Sequence, residues 1–202
     1  MGRWKFVLNV SRFIVFLGLI SGLMYMRVDH IYRSIVTLVG LSIPEFFWRR
    51  VNPPEKLGPF LKPLYNDKTM AVLGVFMAVH VSLVNVPFTT IDLFHREWTN
   101  ADIISHFLGG LTVWVIVAEV LSELSKACGF SERQIIFYSL VILLILGVGW
   151  EIAERLSESK ISYIRESLGN KVRDLIMDTL GALLGIYMVK VKHFPFRLLE
   201  NN

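Results

Sequence analysis

The segment QIIFYSLVILLILGVGW, from Gln134 to Trp150, carries no charge and opens a run of about twenty almost wholly apolar residues that closes on Glu151 and Glu154. Such a run is long enough to cross a lipid bilayer as a helix. In hydrocarbon, every backbone N–H and C=O must be satisfied inside the protein, and a helix does this within one segment. Similar stretches recur, so six helices are predicted, at roughly 8–27, 32–48, 70–87, 102–122, 134–154 and 173–191. The second is short, with Pro44 and Glu45 near its end. Composition agrees: 53% of the 202 residues are hydrophobic and only 19% charged, a balance rare in soluble domains. The predicted fold class is all-α, a single polytopic membrane domain spanning 1–202.

A net charge of +4 and a pI near 9.3 have an ordinary explanation in Lys and Arg flanking membrane helices. No basic run with interleaved aromatics marks a nucleic-acid surface, so no nucleic-acid partner is expected. One cysteine, Cys128, excludes an internal disulfide and a Cys-based metal motif. Arg3 and Lys5 precede the first apolar stretch as in a signal peptide. Arg12 interrupts its early part and no small-residue cleavage site follows, so the segment reads as an uncleaved helix.

If both termini lie in the cytoplasm, thirteen Lys and Arg fall on the inner side and eight on the outer. That bias places the chain in the cell membrane with both termini inside. Five of the eight outer charges sit in one loop, RLSESKISYIRESLGNKVR, which reads as a solvated connector or a short interfacial helix able to attract anionic head groups. The stretch 51–68 holds four of the seven prolines and is expected as a structured inner loop rather than a helix. Glu45 is expected to pair with Arg49. Trp150 reads as an interfacial anchor. His80 and Asn85 on the third helix, and Asp92, His95 and Glu97 after it, are weaker polar candidates.

The last three helices carry a constellation. The fourth opens DIISHFLGG, with Asp102 and His106 four apart on one face and Gly109 and Gly110 one turn on. The fifth ends GVGWEIAERL, with Glu151 and Glu154 on one face and Gly147 on the same stripe. The sixth begins VRDLIMDTLGALLG, where Asp174, Asp178, Gly181 and Gly185 trace one stripe, acidic then glycine. Its glycine half is a packing seam that lets another helix come close. Alternation of helices brings Asp102, His106, Glu151, Glu154, Asp174 and Asp178 to one end of the bundle, whichever way it faces.

One imidazole with several carboxylates is a ligand set for a hard or borderline divalent cation such as Mg²⁺, Mn²⁺, Fe²⁺ or Zn²⁺. Bound, it would activate water at neutral pH. In this scheme His106, Glu151, Asp174 and Asp178 are metal ligands, Glu154 is the catalytic base or a further ligand, and Asp102 orients His106. Arg155 and Arg173 neutralise part of the charge or hold a phosphate. The substrate would be lipid-linked or amphiphilic and the enzyme a metal-dependent intramembrane hydrolase. Two other functions fit the same residues. One is a small cation or proton-coupled transporter, helped by homodimer formation; the other is a membrane scaffold whose polar groups are helix glue.

These three segments, in this order, resemble the YjdF-type family of small bacterial and archaeal membrane proteins, with an Asp…His…Gly helix, a Trp-Glu-x-x-Glu helix end and an Asp-x-x-x-Asp-x-x-Gly helix start. They are more distantly similar to VanZ-like proteins, where amides stand at the positions of Glu154 and Asp178. The resemblance covers roughly residues 100–190. It implies a six-helix membrane fold and a shared polar site at His106, Glu151, Glu154, Asp174 and Asp178, and no substrate.

Overall fold

The computed structural model describes residues 2–45, 55–84, 101–158 and 167–198, and the secondary structure among them is helical throughout. The chain divides into two compact units, residues 1–101 and 102–202.

In the first unit, α1 (Arg3–Met24) packs against α2 (Val28–Ile43) and α4 (Asp67–Ala78). The face α1 buries is Leu8, Ser11, Val15, Gly18, Ser21 and Gly22, a stripe at helical spacing made largely of small residues. Its opposite face exposes Phe6, Phe13, Phe16, Ile20 and Leu23. Large apolar side chains outside and small or hydroxyl side chains inside is the pattern of helices packed in lipid, where only close backbone approach and polar contacts favour association. Gly74 on α4 provides that approach, since a Cβ there would lie 3.0 Å from Leu8 Cδ1 and 3.2 Å from Ser11. Leu8, Leu41 and Met70 form one apolar cluster, and Val15, Ala78 and Val81 another. Beyond α4 the helix widens into a π-helical segment, Val79–Val84.

One expectation for this unit is not tested and one changes. Arg49, the expected partner of Glu45, lies outside the described residues; among the described residues Glu45 accepts a hydrogen bond from Arg12 at 3.0 Å, while Arg12 also reaches Asn9 and the Leu41 carbonyl. A guanidinium on the half-buried side of α1 takes the nearest acceptors, including a carbonyl in the last turn of α2. The described part of the proline-rich stretch, 55–68, is largely helical: a 3-10 turn, Glu55–Leu57, leads into α3 (Gly58–Tyr65). Pro59 lies in the first turn of α3, where its missing N–H costs no hydrogen bond.

The second unit holds α5 (Ala101–Cys128), α6 (Glu132–Glu158) and α7 (Leu168–Lys192), each longer than expected. Ser131 and Gln134 start α6 with a reciprocal cap: Ser131 N donates to Gln134 Oε1 at 2.8 Å and Gln134 N to Ser131 Oγ at 3.4 Å. Ser167 caps α7 by accepting from Asn170 N at 3.2 Å, so this helix begins five residues before the expected position 173. A Cβ on Gly110 would collide with the Asp178 carbonyl, and one on Gly181 with the Phe107 carbonyl and, at 2.7 Å, with Leu111 N. On Gly185 it would meet the Trp114 ring at 2.7 Å. The rising register on both helices makes α5 and α7 parallel neighbours at backbone contact. Trp114, Val115, Ala118, Ala182 and Val189 are fully buried in this unit.

Among the described residues, three helices are long and apolar enough to cross a membrane: Arg3–Met24, Asp102–Cys128 and Glu132–Ala153. The helix α2, at 16 residues, is short for a span. Helix α7 has the length, but every eighteen-residue stretch of it includes at least three charged side chains. The expected segments 46–48 and 85–87 lie outside the described residues.

Gly181→Leu is expected to cost at least about 1–3 kcal/mol by overpacking the α5–α7 contact. Gly149→Ala, where a Cβ meets nothing within 4 Å, is expected to be neutral or stabilising by up to about 1 kcal/mol. Thermal unfolding of the two variants in one detergent distinguishes the seam from helix propensity.

Candidate functional site

The seam between α5 and α7 places His106 and Asp178 side by side, one helical turn from Gly110 and Gly181 respectively. His106 Nδ1 stands 3.4 Å from Asp178 Oδ1, and both side chains are largely buried. Helix α6 runs antiparallel to α7, with Gly147 against Leu175 and Asp178. A Cβ on Gly147 would lie 3.0 Å from Leu175 Cδ2 and 3.4 Å from Asp178 Oδ2. One turn further, Glu151 reaches the start of α7, where Lys171 Nζ lies 3.3 Å from its Oε2.

Ligand atoms of His106, Glu151 and Asp174 all fall within 4.8 Å of one another. Asp174 is 1% exposed and Glu151 7%. One oxygen of Glu151, Oε1, is buried with no hydrogen-bond partner.

A second network bounds the group. Arg173 Nη2 donates to both oxygens of Asp102, at 3.1 and 2.9 Å, and to Asp174 Oδ1 at 3.2 Å. Asn170 Nδ2 donates to the other oxygen of Asp174 at 3.1 Å. One guanidinium thus bridges carboxylates from α5 and α7.

Four sequence-selected residues, His106, Glu151, Asp174 and Asp178, come together, though not in one role. Asp178 is outside the three-residue group and meets His106 instead. Asp102, expected to orient His106, gives its oxygens to Arg173, because a fork of charged donors outcompetes a neighbour on the same helix. Glu154 belongs to α6, and its side chain lies outside the described residues. Arg155 is exposed, as is Trp150 at 54%. His80 stacks on Phe76 with ring centroids 5.5 Å apart, in the other unit. Asn85, Asp92, His95 and Glu97 lie outside the described residues.

The chain belongs to the predicted membrane protein family DUF2238. The family model matches residues 10–193, which takes in both units. No match was found among curated proteins or solved structures. Together with its apolar spans, membership makes this a helical membrane protein.

Family membership does not point to the residues that sequence reasoning missed. Asn170 and Lys171 precede the expected start at 173 and so fall in the loop on that reading; the Ser167 cap is the signal in the sequence that moves the start to 168. Glu119 was also missed. It is 3% exposed on α5 inside an otherwise apolar run, and a carboxylate so placed is a functional candidate on that ground alone.

Arg173→Gln leaves Asp102 and Asp174 without their shared cation and is expected to destabilise the protein by on the order of 3 kcal/mol. Adding Asp102→Asn is expected to recover much of that loss. Both are read by thermal unfolding; a single variant as stable as the parent would show that the bridge contributes nothing.

Proposed function

We propose that this family member is a divalent-cation-dependent membrane enzyme, with His106, Glu151 and Asp174 as the ligands. The observation that carries the proposal is the unpartnered, buried Glu151 Oε1 beside the other two groups. A buried carboxylate oxygen without a donor is costly, and a bound cation removes that cost. Charge supports the same conclusion. Among the described residues, the carboxylates of Asp102, Glu151, Asp174 and Asp178 meet Lys171, Arg173 and His106, and a doubly charged ion would offset part of their negative charge. Asp178 then holds His106 through Nδ1 and leaves Nε2 to the metal, the carboxylate–histidine arrangement common at metal sites.

A cation there would lower the pKa of a bound water and supply a nucleophile, and Glu154 is the proposed base. A groove of about 280 Å³ between α6 and α7, lined by Leu144, Val172, Leu175, Ile176, Thr179 and Leu180, supports an amphiphilic or lipid-linked substrate. It is almost wholly apolar because Thr179 turns its hydroxyl back to the Leu175 carbonyl at 2.8 Å. Leu175 also touches the Gly147 notch beside Asp178, so groove and polar group adjoin. The cell membrane, cytoplasmic termini, homodimer formation and the finer YjdF-type membership belong to the same proposal.

A second function, cation or proton transport, is favoured by Glu119. It stands thirteen residues beyond His106, about 20 Å along α5, and would give a translocated ion a second carboxylate.

Elemental analysis of the purified, metal-loaded protein tests the leading proposal. About one divalent ion per chain is expected in the parent, with loss in His106→Ala and Glu151→Gln. Asp178→Asn is expected to weaken retention by about 10–100-fold. Metal-free parent protein after loading and gel filtration would overturn it and turn attention to proton-coupled uptake.

A further inference from the structure

In the first unit, basic and apolar side chains gather where α1 begins. Helix α1 has 22 residues and is a candidate span. Its length, about 33 Å, only just exceeds a hydrocarbon core of about 30 Å, so its first turns stand at the head-group boundary. The short helix α3 is held at that level. Its Leu64 packs against the cluster of Leu8, Leu41 and Met70, and Leu8 lies in the second turn of α1. Pro63 beside it is buried. Helix α4 starts at the same level, where Asn66 accepts a hydrogen bond from Lys68 N at 3.1 Å and Lys5 Nζ lies 3.7 Å from Asp67 Oδ2.

What α3 turns outward is unlike a solvated loop. Leu57 and Phe60, three residues apart, are 49% and 58% exposed, and Phe6 in the first turn of α1 is 57% exposed. Lys56 and Lys62, both exposed, flank them. The charges at this level are unequal. Arg3, Lys5, Lys56, Lys62 and Lys68 stand against Asp67, while Glu45 is matched by Arg12 at 3.0 Å. The surface is therefore positive and apolar at once. An acidic partner in water would answer the lysines and leave Leu57 and Phe60 wet. The boundary between head groups and acyl chains answers both, because apolar side chains enter the lipid while long lysine stems carry their charge back to the phosphates.

We propose that α3 is an interfacial helix that binds anionic phospholipid, with Leu57 and Phe60 in the acyl boundary and Lys56 and Lys62 on lipid phosphates. A zwitterionic head group also offers a phosphate, but its own cation offsets the attraction, so the lysines select the anionic lipid. The count of Lys and Arg puts this end of the chain in the cytoplasm, and cytoplasmic leaflets carry anionic lipid. Because α3 rests on α1 and α4, lipid held there also braces the packing of the first unit. This surface does not depend on the carboxylate group of the other unit.

Two measurements on the full chain test this. The first places a nitroxide at Phe60→Cys, in a Cys128→Ser background, in mixed vesicles of phosphatidylcholine and phosphatidylglycerol. Oxygen, which concentrates in lipid, is expected to relax the label more than a water-soluble nickel chelate does. The reverse order would make α3 an aqueous segment and overturn the proposal. The second is native mass spectrometry of the detergent-solubilised protein titrated with each lipid. The parent is expected to hold phosphatidylglycerol more tightly than phosphatidylcholine. Joint replacement Lys56→Gln and Lys62→Gln is expected to weaken phosphatidylglycerol binding at least about fivefold, the contribution of about one surface lysine. Lys56→Arg with Lys62→Arg is expected to retain it. Equal affinity for the two lipids in the parent, unchanged affinity in the glutamine variant, or equal loss in the arginine variant would each overturn the proposal.

Discussion

The backbone contact between α5 and α7 is the constraint on which the polar group of the second unit depends. Gly110, Gly181 and Gly185 allow it, because a side-chain carbon at any of them would collide with the facing helix. At ordinary helix separation, set by side chains at 8–10 Å between axes, His106 and Asp178 would not stand 3.4 Å apart. The antiparallel α6 then closes the group at its open side, where a fourth glycine, Gly147, lets Leu175 and Asp178 approach. Glycine is poor in an isolated helix. Here its missing side chain brings the three polar-faced helices to contact distance.

The same economy runs through both units. Large apolar side chains point outward and small, hydroxyl or charged ones point inward, the reverse of a soluble core. Lipid is as apolar as leucine, so packing of small residues and satisfaction of polar groups must supply the association energy. That is why an unpartnered interior atom such as Glu151 Oε1 carries more information here than in water-soluble proteins. Several interior polar groups of this chain are answered, by Arg173, by Asn170 or by a backbone carbonyl.

Much of the second unit was legible in the residues themselves. The stripe Asp174, Asp178, Gly181, Gly185 marked both the site and the seam, and the helix alternation placed His106, Glu151 and Asp174 at one end. Helix ends were harder to read. Starting α7 at Val172 or Arg173 follows hydrophobic periodicity, whereas Ser167 starts it by hydrogen bonding, and periodicity cannot see a cap. That error hid Asn170 and Lys171, one a donor to Asp174 and the other the cation beside Glu151. In the first unit Gly18 and Gly22 were present in the sequence, but nothing local linked them to His30 on the next helix or to Ser82.

The sequence by itself determined that this chain is a helical membrane protein and which helix faces are polar, because both follow from local hydrophobicity and a period of 3.6 residues. Pairing was decided only by the tertiary structure. Asp102 goes to Arg173, Glu45 to Arg12 and Asp178 to His106, since each charged group takes the best-placed donor or acceptor that packing brings within reach, across helices far apart in the chain. The distance from Glu151 to His106 and Asp174, on which any cation would depend, is set in the same way, by how closely three helices meet.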